Sequence, residues 1–172
     1  YLKDNLKPEG TVYILGGTGV ISQSFADKVS TGTNAAINRI MGSDRYDTSV
    51  KIAEQLNVKT GTPVVLASGE NYPDALAVSS IAANNQLPVL LVQKDRLSEG
   101  VAQKLAQIKP GKIYIIGLEG AISPAVVSQA AKTADLTSEN MIRIGGADRY
   151  ATSLAIAEYC DLGSGTLCLA TG

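Results

Sequence analysis

The feature that most constrains this chain is a stretch it carries twice. Residues 39–54 read RIMGSDRYDTSVKIAE and residues 143–158 read RIGGADRYATSLAIAE, with eleven of 16 positions identical. A block this long does not recur by chance, so any fold must accommodate both copies in equivalent settings. TVYILGGTGVIS at 11–22 matches KIYIIGLEGAIS at 112–123 with six identities in 12, and VVLASG at 64–69 matches LCLATG at 167–172. The three offsets are 101, 104 and 103, so the period is about a hundred residues and each unit is domain-sized. The chain is therefore expected to hold the end of one repeat (1–38), a whole repeat (39–142) and the opening of a third (143–172). Tyr1 is not a natural start, which suggests a piece of a longer protein.

Apolar runs alternate with helical patterns. Thr11–Leu15, Ile37–Met41, Val64–Ala67, Pro88–Val92 and Ile113–Ile116 are short, apolar and continuous rather than alternating, as in strands buried on both faces. Between them, helices are expected from Ser22 to Val29, from Ser43 or Asp44 past Leu56, from Pro73 to about Ala83, from Ser98 to about Ile108, and onward from Ser123-Pro124. Ser30–Asn38 reads as a loop. Strand–helix alternation predicts an α/β fold, a parallel sheet with helices on both faces and right-handed crossovers. Ligands of such sheets meet the carboxyl ends of the strands, where the glycine turns and the segment SGENYPDA lie.

Composition narrows the chemistry. Hydrophobic residues make up 45% and charged residues 18%, with net charge −1, so nothing global favours nucleic acid or an anionic membrane. An anionic partner would need local arginines. The longest apolar runs, such as Leu87–Val92, are too short to span a bilayer. The chain has no histidine, which removes His-based triads and the commonest zinc ligand together. Cys160 and Cys168 correspond to Leu56 and Val65 of the first repeat and read as small buried hydrophobes.

Three groups of residues remain as candidates. Asp44-Arg45-Tyr46 and Asp148-Arg149-Tyr150 stand at helix starts, where free N–H groups and an arginine fork suit a carboxylate or phosphate and a tyrosine face suits a sugar ring. Four of the five arginines (Arg39, Arg45, Arg143, Arg149) lie in these two copies. The alternative reading of the same residues is structural, with Asp44 as N-cap, Arg45 paired with a neighbouring acid and Tyr46 in the core. The segment 68–76 gathers Ser68, Glu70, Asn71, Tyr72 and Asp74. Its carboxylates open a metal-dependent, Toprim-like phosphotransfer or hydrolase alternative around Glu70 and Asp74, although no DxD pair accompanies them. The turns GGTG at 16–19 and GLEG at 117–120 lack the wider motifs of nucleotide sites and are explained by tight turns.

RIxGxDRYxTSxxIAE, VVLASGENYPDALAVSS, PVLLV and KIYIIGLEGAIS, in that order, closely resemble the cell wall binding repeat 2 family across the whole chain. The resemblance implies Rossmann- or Toprim-like tandem repeats packed in threes on secreted surface proteins of Gram-positive bacteria. It implies a non-catalytic, cofactor-free module at the cell surface that binds an anionic cell-wall polysaccharide near repeat boundaries. Carried onto this chain, it points to Arg45, Tyr46, Arg149, Tyr150, Asn71 and Asp74 as ligand-binding residues, with no metal site. Lys51 is replaced by Ala155 in the second motif copy, and the third repeat lacks its Asp-Ala-Leu segment. The faces left by partial repeats point to self-association. A purely structural role, in which the motif packs one repeat on the next, is the remaining alternative.

Overall fold

A computed structural model describes residues 1–7 and 9–160. The segment LCLATG, Cys168 and the rest of 161–172 lie outside the described residues. The elements run α1 (Leu2–Asn5), β1 (Thr11–Leu15), α2 (Gln23–Thr33), β2 (Ala36–Ile40), α3 (Arg45–Gln55), β3 (Val64–Ser68), α4 (Tyr72–Asn84), β4 (Val89–Val92), α5 (Glu99–Ile108), β5 (Ile113–Ile116), α6 (Pro124–Ala134), β6 (Met141–Ile144) and α7 (Arg149–Tyr159). The strand pairings are parallel and form a two-stranded sheet, β1-β2, and a four-stranded sheet in the order β4-β3-β5-β6.

Local chemistry accounts for most boundaries. Ser22 caps α2 by accepting the Phe25 N–H at 3.2 Å. Asp44 caps α3 through the Asp47 N–H at 2.8 Å, and Asp148 caps α7 through the N–H groups of Tyr150 and Ala151 at 3.0 and 2.8 Å. Pro73 and Pro124 stand in the first turns of α4 and α6, where no N–H is needed. Ser98 and Ser123 hold N-cap positions without a side-chain capping bond. The expected loop at Ser30–Asn38 is shorter than its polarity suggests. Helix α2 runs on to Thr33, whose hydroxyl donates to the Val29 carbonyl at 2.6 Å, and Asn34 (φ 58°) turns the chain left-handed, so β2 begins at Ala36.

The four-stranded sheet is covered on both faces. Val64, Leu66, Leu90, Val92, Ile113 and Ile115 face α3, α5 and α6, which contribute Val50, Ala53, Val101, Leu105, Val126 and Ala130. Val65, Ala67, Ile116 and Ile144 face α4 and α7, which contribute Val78, Ala82 and Ile156. Each fully buried Leu, Ile or Val contributes roughly 1.5–3 kcal/mol. Strand β3 is buried along its whole length, which explains its unbroken apolar run.

Sequence repeats and sheets are out of step by one strand. β2, which opens the first motif copy, pairs with β1, and β6, which opens the second, pairs with β5. Helix α3 then leaves the β1-β2 sheet and packs chiefly on β4 and α5 of the next sheet, whereas α7 packs with α4 and β6. The two copies of one motif helix therefore stand on opposite faces of the same four-stranded sheet.

Candidate ligand-binding groove

The first motif copy is a docked one. Arg45 donates from Nη1 to the Gly69 carbonyl at 2.6 Å. The Tyr46 ring lies so close over Gly69 that a Cβ there would sit 2.5 Å from ring carbon Cε1, which is why the turn after β3 carries a glycine. The Ser49 hydroxyl accepts the Leu91 N–H at 3.0 Å and donates to the Tyr46 carbonyl at 2.6 Å. Leu91 belongs to β4, an edge strand, so this serine satisfies a backbone donor that the sheet leaves unpaired. Val50 and Ala53 complete the seat.

The second copy keeps the cap and opens the rest. On α7, Thr152 and Ile156 are buried, but Tyr150 is 60% exposed, Leu154 is 59% exposed, and Ser153 faces solvent. Their counterparts on α3 are Tyr46, Val50 and Ser49, the residues that dock. Arg149 makes no hydrogen bond among the described residues and lies instead at the edge of a groove.

That groove, of about 600 Å³, is bounded by three strand-to-helix turns. The β3–α4 turn brings Ser68, Glu70, Asn71, Pro73 and Asp74, the β5–α6 turn brings Leu118, Gly120 and Ala121, and the β6–α7 turn brings Gly146, Ala147, Asp148, Arg149 and Thr152. All three turns follow the carboxyl ends of strands. Asn71 and Asp74 thus meet Arg149 in one place, with Asn71 as the exposed N-cap of α4. Burial pushes the Asp74 carboxyl above its ordinary value, while the Thr152 hydroxyl and the Arg149 charge pull it back. The Glu70 carboxylate accepts the Lys94 N–H at 3.1 Å. Among the described residues, no three acids or cysteines gather closely enough to hold a metal ion.

A matching groove of about 570 Å³ lies at the first copy, between Gly17–Val20, Met41–Arg45 and Thr48. It contains no turn equivalent to 68–74. Arg45 is at its wall and Tyr46 is turned away onto Gly69. A third cavity, of about 410 Å³, lies toward the opposite ends of the strands between α4 and α7. Its walls include Val65, Val78, Ile81, Tyr114 and Cys160, an apolar lining with little to offer a hydroxylated ligand. Burial pushes the Cys160 thiol up, in keeping with a small hydrophobe.

Two further arginines have a role that residue counting missed. Arg39 donates to the Gly16 carbonyl at 2.8 Å, and Arg143 to the carbonyls of Gly117 and Ile122 at 2.8 and 2.9 Å. Gly16 and Gly117 have φ of 115° and 96°, a turn that a side chain resists. Each arginine lies on the neighbouring strand and ties down the turn that ends β1 or β5. The pairing of YI(I/L)G with RI in both repeats is the signal that could have revealed this clamp.

A parallel α/β repeat whose glycine turns meet at one groove is the class that fold and site define. The family described as "Cell wall binding domain 2 (CWB2)" matches residues 39–127, just over half of the chain, and the chain belongs to that family. It is 33% identical over 116 residues to the N-acetylmuramoyl-L-alanine amidase LytC of Bacillus subtilis (strain 168), covering 67% of this chain and 22% of that protein. It is 29% identical over 161 residues to the amidase enhancer of the same strain, covering 94% of this chain and 21% of that one. Cwp6 from Clostridium difficile superposes with a TM-score of 0.78 at 30% identity, over 86% of this chain and 23% of Cwp6. The chain spans about a fifth of the length of these proteins. Its role is cell-wall binding, and no helix among the described residues is long and apolar enough to cross a membrane.

Proposed function

We propose that the chain is a non-catalytic module that anchors a secreted protein non-covalently at the cell surface, on an anionic secondary cell-wall polymer. The observation that carries this reading is the groove that joins Asn71 and Asp74 of one repeat to Arg149 of the next. Arg149 opens α7 and makes no hydrogen bond among the described residues, so its guanidinium fork is left to a phosphate or carboxylate in the groove. Tyr150, exposed on the first turn, offers a flat face to a sugar ring. The likeness to an amidase and an amidase enhancer supports attachment of such modules to wall-active proteins. The proposed units remain 1–38, 39–142 and 143–172, with weak contacts multiplied across copies. Sedimentation with purified Gram-positive walls, with and without their secondary polymer, tests it. Retention is expected to need the polymer, to fall steeply with salt, and to drop in Arg149→Ala. Retention by polymer-free walls would defeat the reading.

A second reading is favoured by one observation: in the first copy Arg45, Tyr46 and Ser49 all engage the four-stranded sheet that follows the β1-β2 sheet. On this reading the motif seats each repeat on the next, and the open α7 face receives a neighbouring repeat in threefold packing or a second chain. Ultracentrifugation of Leu154→Asp separates this from ligand binding, since only a packing role loses association while wall retention survives. A catalytic site at Glu70 and Asp74 has less in its favour, because the Glu70 carboxylate is engaged by a backbone donor.

A further inference from the structure

Strand β1 is the first-repeat counterpart of β5: TVYIL at 11–15 stands 101 positions before KIYII at 112–116. The two strands differ in their neighbours. β5 lies between β3 and β6, whereas β1, among the described residues, pairs with β2 alone. Its other edge leaves N–H and C=O groups unpaired, and TVYIL has no lysine or proline to protect them. The edge strand β4 is treated differently, since the Ser49 hydroxyl accepts the Leu91 N–H there. Side chains differ in the same way. Leu15 is 50% exposed where Ile116 is fully buried, and Phe25 on α2 is 54% exposed where its counterpart Val126 on α6 is 1% exposed. Beside β5 these positions are covered in part by β3, with Val65 and Ala67 on the Ile116 side and Val64 and Leu66 on the Val126 side. We propose that the free edge of β1 takes up residues 167–171 (LCLAT) of a second copy of the chain as a parallel strand, in the place that β3 holds beside β5. This goes beyond wall binding and does not depend on it.

Both halves of that contact have counterparts that touch in the structure. VVLASG at 64–69, the match of LCLATG at 167–172, forms β3 and the turn after it. β3 pairs with β5 through Val64↔Ile113, Val65↔Tyr114 and Leu66↔Ile115, and the Val64 N–H donates to the Lys112 carbonyl at 3.1 Å. Shifted by 103 residues on one side and 101 on the other, that register sets Leu167 against Val12, Cys168 against Tyr13 and Leu169 against Ile14. Strand alternation then puts Leu167 and Leu169 on the Phe25 side and Cys168 and Ala170 on the Leu15 side, apolar against apolar on both. Main-chain bonds hold such an added strand, and the apolar side chains fix its register. The donor belongs to another copy. Cys160 ends α7 on one face of the four-stranded sheet, and α3, which leads out of the β1-β2 sheet, sits on the other. The seven residue steps from Cys160 to Leu167 reach at most about 25 Å, too short a tether to round that sheet with its helices and enter at the amino end of β1. Each copy thus offers one acceptor edge and one donor stretch, and association runs head to tail.

Cysteine cross-linking tests the register. In the full chain carrying Cys160→Ser and Tyr13→Cys, oxidation is expected to join residue 13 of one copy to Cys168 of another, giving dimers and larger species on a non-reducing gel that collapse on reduction. Val12→Cys in the same background points to the other side of the strand and is expected to give little of that product. Equal products from the two, no bond between residues 13 and 168 by mass spectrometry, or a bond formed within a single chain overturns the proposal. Should the cysteine variants not fold, sedimentation equilibrium decides. The wild type is expected to gain mass with concentration and Leu169→Asp to stay monomeric. A wild type that is monomeric at every concentration, or a Leu169→Asp that associates as the wild type does, overturns the proposal. Neither measurement involves the wall, so the wall-binding reading stands or falls separately.

Discussion

Helices α3 and α7 begin with the same Asp-Arg-Tyr, continue with the same Thr-Ser, and do different things. On α3 the arginine, tyrosine and serine are spent on the glycine turn after β3 and on the edge of β4. On α7 the same three face solvent or the groove, and a different stripe, Thr152 and Ile156, is buried. A helix with two usable faces can serve two sheets, one through each face. In α3 both stripes lie near protein, with Thr48 and Ile52 half-buried toward β2 and Ser49, Val50 and Ala53 buried toward β4. The motif is thus a connector by construction, and a ligand can compete for it only where the second face is open.

The sharpest way to break that comparison is a charge placed at equivalent positions. Val50→Asp puts a carboxylate into a site that is 6% exposed and is expected to cost more than about 3 kcal/mol, whereas Leu154→Asp changes stability by less than about 0.5 kcal/mol. Urea denaturation of the two variants measures this, and equal losses would mean that α3 is not docked as described. Ser49→Ala is a smaller probe. It leaves the Leu91 N–H without its acceptor and is expected to cost about 1–2 kcal/mol, against almost nothing for Ser153→Ala. The smallest effect concerns pH. Because burial raises the Asp74 carboxyl above 3.8, the folded chain keeps that proton where the unfolded chain has lost it. Stability from this group is therefore greatest below 3.8 and falls as pH rises through the folded value. Asp74→Asn should flatten that slope in thermal melts between acid and neutral pH, and an unchanged slope would assign it to other carboxylates.

Much of the architecture was legible because it depends on local chemistry. Continuous apolar strands, glycine turns, Asp44 as N-cap and the two prolines at helix starts each follow from a few neighbouring residues. The arginines were not legible in the same way. Their concentration in the motif favoured a ligand reading of Arg45 and Arg149, yet Arg45, like Arg39 and Arg143, donates to a backbone carbonyl 21–26 positions away in sequence. A guanidinium suits a carbonyl turned out by a left-handed glycine as well as it suits a phosphate, and composition does not distinguish them. Asn71, Asp74 and Arg149 were picked out separately, and only the crossover order β4-β3-β5-β6 brings their turns together.

The sequence by itself determined that this is a repeating α/β chain with its turns at one end of parallel strands, because period, apolar runs and caps are properties of short segments. Tertiary structure alone decided where one sheet ends and the next begins, and which copy of the motif is docked. Those outcomes depend on what stands opposite each face. Identical side chains gain a buried seat or remain in water according to whether a strand edge and a bare glycine turn are there to receive them.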